Sequence, residues 1–390
     1  MKLLILLSRF PYPLEKGDKL RAFYQIKELS KNNDIYLIIL NDKKLSDDTI
    51  KNVAVYCKQI HIININIWTK FWGVVYAFFK QLPFQCGYFF SRNGKKKIHR
   101  LITQINPDHI YAQMVRVAEY VKDIHVKKTL DYQDVLSKGM QRRAEIAPFY
   151  IKPFLYAEYR RLLQYERFAF SCFDNKTIIT EIDRGFIPHE ENHRISIIAN
   201  GVDFECYQYN IDTKHDKKYD LIFSGNMAYP PNVDAAEYIA KQIFSVLKQS
   251  FPHLKLIICG ANPTKKIRSL ENDDITVTGW VNSVADYYAQ SKIFLAPMRL
   301  GTGLQNKLIE AMAMKLPCIT SPLAGYPIEG VVNGENVIIC KTQIDYIEAV
   351  KLLLTNDNVY QEMAEKGYQL VKRYYNWKQI NSKLESILQL

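Results

Sequence analysis
The stretch from Arg299 to Ile319, RLGTGLQNKLIEAMAMKLPCI, together with the strand before it, constrains this chain more than any other. Lys292 to Pro297, KIFLAP, is a short apolar run of the kind that forms a buried strand. Gly301-Thr302-Gly303 follows as a turn. Leu304, Leu308, Ala311, Met312 and Lys315 then recur at helical spacing, which predicts a helix over 304–315. Pro317 stops that helix, and Cys318-Ile319-Thr320 reads as the next strand. A strand, a glycine turn and a helix N-terminus together make an anion site. The glycines let the backbone approach a ligand closely, and the unpaired first-turn N–H groups face it. Lys307 lies within reach of a phosphate there. Glu310 is an acid inside the apolar run LIEAMAM and needs a partner, for which the two hydroxyls of a ribose suit. The competing reading is an i,i+3 ion pair between Lys307 and Glu310 on a solvated face. The run is not the dinucleotide fingerprint, because Asn306 stands where its third glycine would be.

With these residues in view, the stretch resembles the nucleotide-sugar site of retaining GT-B glycosyltransferases of group 1 (family 4). That family carries an acid, seven residues, then a second acid before an Ala-Met-Ala-like run. Glu310-Ala311-Met312-Ala313 matches the second half, and Thr302 occupies the place of the first acid. The resemblance implies a ribose-binding role for Glu310. The variant GTGLQNKLIEAMA is similar to a subgroup linked to exopolysaccharide and capsule assembly.

At 390 residues the chain is long for one domain, and two of about 190 residues each fit its length. With 48% hydrophobic residues it can build two cores. Seven scattered cysteines form no CxxC pair, which argues against a zinc ribbon or disulfide framework and for a reducing compartment. The opening MKLLILLSRFPYP has too short an apolar core for a signal peptide and reads as a first buried strand. No apolar run reaches the roughly 18 residues of a membrane span. The net charge of +12 calls for an anionic partner. Nucleic acid is not expected, since no zinc finger, RNA-binding aromatic signature or basic heptad is present.

The first half alternates strand-like and helix-like runs: KLLILL, a helix over 20–31, then DIYLIIL. This βαβ unit implies a parallel sheet with a right-handed crossover. Further strands are expected at 59–63, 109–111, 128–130, 176–179 and 194–198. Loops at the carboxyl edge of such a sheet hold ligands. Gly17, with Asp18, Lys19 and Arg21, follows the first strand, where the family places a glycine loop facing the donor diphosphate and acceptor. An ordinary turn before a solvated helix start is the alternative. Gln113 and Arg116, Asp131 and Asp134, and Thr180 and Glu181 follow later strands. By resemblance these are acceptor-side positions, although the histidine many family members have near position 113 is missing.

Residues 68–100 join a strongly aromatic helix, expected over 69–80, to Arg92, Lys95, Lys96, Lys97 and Arg100. That helix carries more apolar surface than one buried face needs. Aromatics beside a basic cluster suit an anionic membrane surface. A core helix followed by a solvated charged helix is the alternative.

Asn200-Gly201-Val202-Asp203 matches the family's domain junction. The expected domains are 1–204 on the acceptor side, a linker over 205–218, and a nucleotide-sugar domain over 219–373. A final crossover helix, 374–390, packs back on the first domain. Ser224-Gly225-Asn226 ends the first strand of the second half and resembles a phosphate-proximal loop. The arginine and lysine usual there are absent, which leaves Arg299 or Lys307 to meet the diphosphate charge. Gly279-Trp280-Val281 resembles the turn whose backbone reads the base.

The fold class expected is α/β, two Rossmann-like domains facing each other over a cleft. The resemblance implies a retaining, metal-independent hexosyltransferase. It moves a sugar from a nucleotide-diphosphate donor to a hydroxyl of a glycan or lipid-linked acceptor in bacterial surface polysaccharide synthesis, without a cofactor. The expected catalytic set is Asp134, Gln113, Arg116 and Lys307. The donor set is Gly17, Ser224, Gly225, Asn226, Val281, Arg299, Gly301, Thr302, Gly303, Leu304, Lys307 and Glu310. The expected location is cytoplasmic, at the inner face of the membrane. A nucleotide-sugar epimerase or hydrolase on the same fold and a non-catalytic nucleotide-sugar-binding module are the alternatives.

Overall fold
A computed structural model describes residues 1–14, 16–207, 217–301 and 303–389. Thr302 and most of the expected linker, 208–216, lie outside the described residues. Contacts divide the chain into two units, Met1–Ala199 with Trp377–Leu390, and Asn200–Asn376.

The first unit is built on seven parallel strands: β1 (Lys2–Leu7), β2 (Asp34–Asn41), β3 (Gln59–Asn64), β4 (His109–Gln113), β5 (Lys128–Asp131), β6 (Asn175–Ile178) and β7 (Ser196–Ile197). Their order is β3-β2-β1-β4-β5-β6-β7. The central strands β1, KLLILL, and β2, DIYLIILN, are almost wholly apolar because both faces are covered, whereas β3, QIHIIN, is mostly exposed or half-buried. Leu3, Ile5 and Leu7 pack on one side with α1 (Gly17–Leu29) and the last helix, Trp377–Gln389, while Leu4 and Leu6 pack on the other. Tyr24 of α1 stacks on Trp377 at 5.2 Å between ring centroids. The last helix thus belongs to the core of the first unit.

Helix α2 (Ile67–Lys80) is followed by α3 (Phe84–Phe89) and α4 (Arg92–Ile105). Its inward face is small. A Cβ on Gly73 would lie 2.1 Å from the carbonyl oxygen of Gly87, so α2 and α3 pack backbone against backbone there. The large side chains Ile67, Trp68, Phe71, Trp72, Phe78 and Phe79 are left outside. The longest helix, α5 (Lys152–Cys172), is one the sequence reading does not mark. Its aromatic residues divide between a buried face with Tyr165 and Phe170 and an exposed one with Phe154 and Phe168, which blurs the apolar stripe.

The second unit has six parallel strands: β8 (Tyr219–Ser224), β9 (Leu256–Cys259), β10 (Ile275–Val277), β11 (Ser291–Ala296), β12 (Cys318–Thr320) and β13 (Ile338–Ile339), in the order β10-β9-β8-β11-β12-β13. Two helices matter for the site, α6 (Pro230–Tyr238) and α7 (Asn306–Ala313). Helix α7 begins two residues later than its spacing predicts, so Leu304 stays in the turn and Lys307 is the second helical residue. The junction also differs from its expected place. Val202 bridges Asn376 and its N–H donates to the Tyr375 carbonyl at 2.7 Å, which draws 200–204 into the second unit.

Both sheets reverse strand order once, between β1 and β4 and between β8 and β11. In open parallel sheets these switch points part the loops at the carboxyl edge and leave a crevice for ligands.

Candidate functional site
In the second unit the crevice lies between the loop after β8 and the turn between β11 and α7. Gly301 and Gly303 have φ of 118° and 71°, values that a side chain disfavours. They bring the chain round so that α7 starts beside the loop after β8. Gly225 in that loop leaves the space. A Cβ there would lie 2.6 Å from Nδ2 of Asn232 and 3.1 Å from Nζ of Lys307.

Lys307 sits at the centre. Its ammonium donates to Oδ1 of Asn232 at 2.5 Å and lies 4.6 Å from the centre of the Phe223 ring. Among the described residues no carboxylate comes within ion-pairing distance of it, so the i,i+3 pair with Glu310 is not formed. Burial pushes Lys307 down to about 7, and the nearby Glu310 charge only partly opposes this. Glu310 is pushed up to about 7 by burial, against hydrogen bonds from Tyr207 and Tyr288 and the charge of Lys307. The Tyr288 hydroxyl also meets Oγ of Ser224 at 2.7 Å. Ser224, Tyr288 and Glu310 therefore form one polar chain beneath the crevice.

Asn232, Tyr207 and Tyr288 were not singled out in the sequence. Asn232 follows two prolines at the start of α6 and links both loops, since its Nδ2 donates to the Asn226 carbonyl at 3.0 Å. No spacing marks any of the three. Only the acid at 310, which must find partners, signals that hydroxyls are near.

Other expected donor residues are placed less centrally. Arg299 is half exposed and held by Asp234 of α6 in a two-pronged pair at 3.0 and 2.6 Å, with its guanidinium 4.5 Å from the Tyr238 ring centre. Asn226 caps its own loop by accepting from the Ala228 N–H. Gly279, before Trp280 and Val281, has φ of 116°, and the Trp280 side chain is exposed. Leu304, Lys307 and Glu310 are partly accessible.

In the first unit the switch point gathers Arg9, Asp18, Gln113 and Arg116. Arg9 pairs with Asp18 at 2.9 Å. Buried Gln113 donates to the Asp18 carbonyl at 3.4 Å. Arg116 donates to Oε1 of Gln85 at 2.9 Å, its Nε is buried without a partner among the described residues, and Arg9 and Arg116 both lie near the Phe89 ring. Asp134 is pushed up to about 7 by burial and by the charges of Asp183 and Asp18. Gly17 is exposed at the first residue of α1.

Four candidates, Arg21, Asp131, Thr180 and Glu181, have structural duties instead. Arg21 is fully buried and grips Asp131 through Nε at 2.6 Å and Nη2 at 3.1 Å, while Nη1 donates to the Ala199 carbonyl. Thr177 adds a hydroxyl donor to the same carboxylate. Thr180 caps the helix Glu181–Phe186 through the Asp183 N–H, and Glu181 pairs with Arg184 on the surface. Among the described residues no cluster of three or more His, Cys, Asp or Glu is placed to hold a metal ion.

An anion cradle at one switch point and a polar, partly cationic crevice at the other suit a phosphorylated ligand and a hydroxyl-bearing one. Residues 218–356, within the second unit, match the family described as "Glycosyl transferases group 1". No curated protein matches the chain. Among solved structures, sucrose-phosphate synthase from Thermosynechococcus elongatus is 12% identical with a TM-score of 0.68, covering 100% of this chain and 98% of that one. Anabaena HepE in complex with UDP and glucose is 11% identical with a TM-score of 0.70, covering 100% of both chains. A protein described as a UDP-N-acetylglucosamine 2-epimerase from Listeria monocytogenes is 12% identical with a TM-score of 0.56, covering 98% of this chain and 94% of that one. The chain therefore has the GT-B glycosyltransferase fold, and its second unit carries the match to group 1 glycosyltransferases.

Proposed function
We propose that this protein transfers a sugar from a nucleotide-diphosphate donor to an acceptor hydroxyl. The observation that carries the reading is Lys307, partly buried, with no carboxylate within ion-pairing distance among the described residues, beside two glycine loops and a helix start. A departing diphosphate accumulates negative charge, and an ammonium fixed by Asn232 with the first N–H groups of α7 would stabilise it. Glu310 then accepts hydroxyls of the donor ribose, with Tyr207 and Tyr288 orienting its carboxylate. HepE, crystallised with UDP and glucose, supports a nucleotide sugar as the donor class. The acceptor enters at the first unit's crevice, where Asp134, Gln113 and Arg116 meet its hydroxyl and its charge. Retention of configuration, independence from metal and a place in surface polysaccharide synthesis belong to this reading. The test is release of nucleoside diphosphate from a panel of sugar donors with lipid extracts as acceptor. Label appearing in the lipid phase supports transfer.

The Listeria structure keeps an epimerase or hydrolase as the second reading, at a lower TM-score. Product formed from donor alone would favour it.

We also infer that the acceptor is lipid-linked and that the protein works at an anionic membrane surface. The exposed aromatic face of α2 and the basic start of α4 support this. The sequence holds no Asp or Glu between Asp48 and Asp108 but nine Lys and Arg there. A groove of about 690 Å³ runs along α2, lined by Trp68, Trp72, Tyr76, Phe79, Phe90 and Arg92. No described helix is long and apolar enough to cross a membrane, so contact would be peripheral.

A further inference from the structure
We propose that a second aromatic prong, Phe149 to Phe154 at the start of α5, inserts into the same anionic bilayer as α2. The proposal rests on the membrane reading above and adds a surface that the 68–100 segment does not contain. Phe149 is 85% exposed and Tyr150 69%, with Ile151 and Phe154 also open. Monomeric proteins seldom leave so many large apolar groups together in water. The prong is a hydrogen-bonded turn. The Pro148 carbonyl accepts the N–H groups of Ile151 and Lys152 at 3.0 and 3.1 Å.

The two prongs are joined side by side. Phe154 stacks on Phe84 at 5.3 Å between centroids. Arg161 lies 4.4 Å from the Phe84 ring centre and 5.8 Å from that of Phe78 in α2, and it donates to the carbonyls of Ala77 and Leu82. Glu158 caps the start of α3 by accepting the N–H groups of Phe84 and Gln85 at 2.8 and 3.1 Å. Phe84 and Arg161 therefore connect Phe154 of the prong to Phe78 of α2.

Charge selects the occupant. Between Glu145 and Glu158 the only charged residue is Lys152, and Glu158 is turned inward and 2% exposed. Lys80, Arg92, Lys96, Lys97 and Arg160 are exposed in the segments that form this surface. A cationic, aromatic surface without exposed acids in those segments complements anionic headgroups. A second copy would bring the same positive charge to a two-fold interface and repel it.

The test is flotation with vesicles of phosphatidylcholine, alone and mixed with phosphatidylglycerol. Phe149→Ser combined with Tyr150→Ser removes the tip of the prong and touches neither crevice. Partitioning onto the mixed vesicles should fall about tenfold or more, since burying one aromatic side chain is worth about 1.5–3 kcal/mol and 1.4 kcal/mol is tenfold. Circular dichroism should be unchanged. If the wild type floats, a Lys95, Lys96 and Lys97→Glu variant does not, and the prong variant floats like wild type, the prong is overturned while the membrane reading stands. If the wild type does not float, both fall. A wild-type dimer converted to monomer by the prong variant, with flotation unaffected, assigns the surface to a second copy and overturns the proposal.

Discussion

The ammonium of Lys307 meets Oδ1 of Asn232 at 2.5 Å across the switch point of the second sheet. The lysine thus has an amide, not a carboxylate, as its partner, which leaves its charge available to an anion. Its ordinary value of 10.5 falls to about 7 because burial disfavours the charged form. A bound diphosphate would restore the charge, so binding should take up a proton above pH 7. Affinity for a nucleoside diphosphate should fall as pH rises from about 7.5 to 9, by up to about tenfold per unit. Above pH 7 the phosphate is itself already ionised. Lys307→Arg should remove this dependence, because arginine stays charged. Calorimetry across that range reads both; a flat profile in the wild type would separate Lys307 from the anion.

Glu310 and Lys307 have opposite effects on the stability of the free protein. Glu310, raised from 4.5 to about 7, binds more protons folded than unfolded in that window. Its contribution therefore becomes less favourable as pH climbs from about 4.5 to 7. Lys307, lowered from 10.5 to about 7, binds fewer protons folded than unfolded above 7, so its contribution improves as pH climbs toward 10. The pair is least favourable near pH 7. Glu310→Gln should gain melting temperature over the wild type at pH 7 and gain none near pH 4. A mutant that melts lower at pH 7 would show that the tyrosine hydrogen bonds outweigh burial.

Arg21 and Asp131 form a fully buried pair that ties α1 to β5. Removing one partner leaves the other charge buried, which costs about 3–5 kcal/mol. Arg21→Met should lower stability by that amount in denaturant unfolding, while Arg21→Met with Asp131→Leu should recover most of it. An additive double mutant would mean the two do not act as a pair.

The parallel sheets were readable because buried strands such as KLLILL, DIYLIIL and KIFLAP are apolar throughout and bounded by turns. The turn at Gly301 to Gly303 and the positions of Lys307 and Glu310 were readable for the same reason: glycine and charge stand out against an apolar background. What stayed hidden depends on contacts distant in sequence. Arg21 looked like a ligand residue from its place after β1, yet its partner lies 110 residues on. Asn232 acquires its role only when α6 and α7 come together. Helix α5 divides its aromatics between core and surface, and that defeats a periodicity argument. The lean inward face of α2 was legible only as an excess of aromatics.

That inward face makes its own prediction. Gly73→Val would drive two methyls into the Gly87 backbone, where even a Cβ would be 2.1 Å from an oxygen. Overpacking of this kind costs about 1–3 kcal/mol. Vesicle binding should fall together with melting temperature, because the aromatic face is presented only when α2 is seated on α3. Full stability in this variant would mean that the two helices pack another way.

The most direct test of the central claim is calorimetric titration of UDP, GDP and ADP into the wild type and into Lys307→Met. Charge-assisted hydrogen bonds contribute roughly 1.5–3 kcal/mol, and 1.4 kcal/mol is tenfold. At least one nucleotide should bind the wild type at a single site, and the variant should bind it about ten- to a hundredfold more weakly with its fold intact. No binding by any of the three, or equal affinity in the two proteins, would contradict a nucleotide-sugar site at the start of α7.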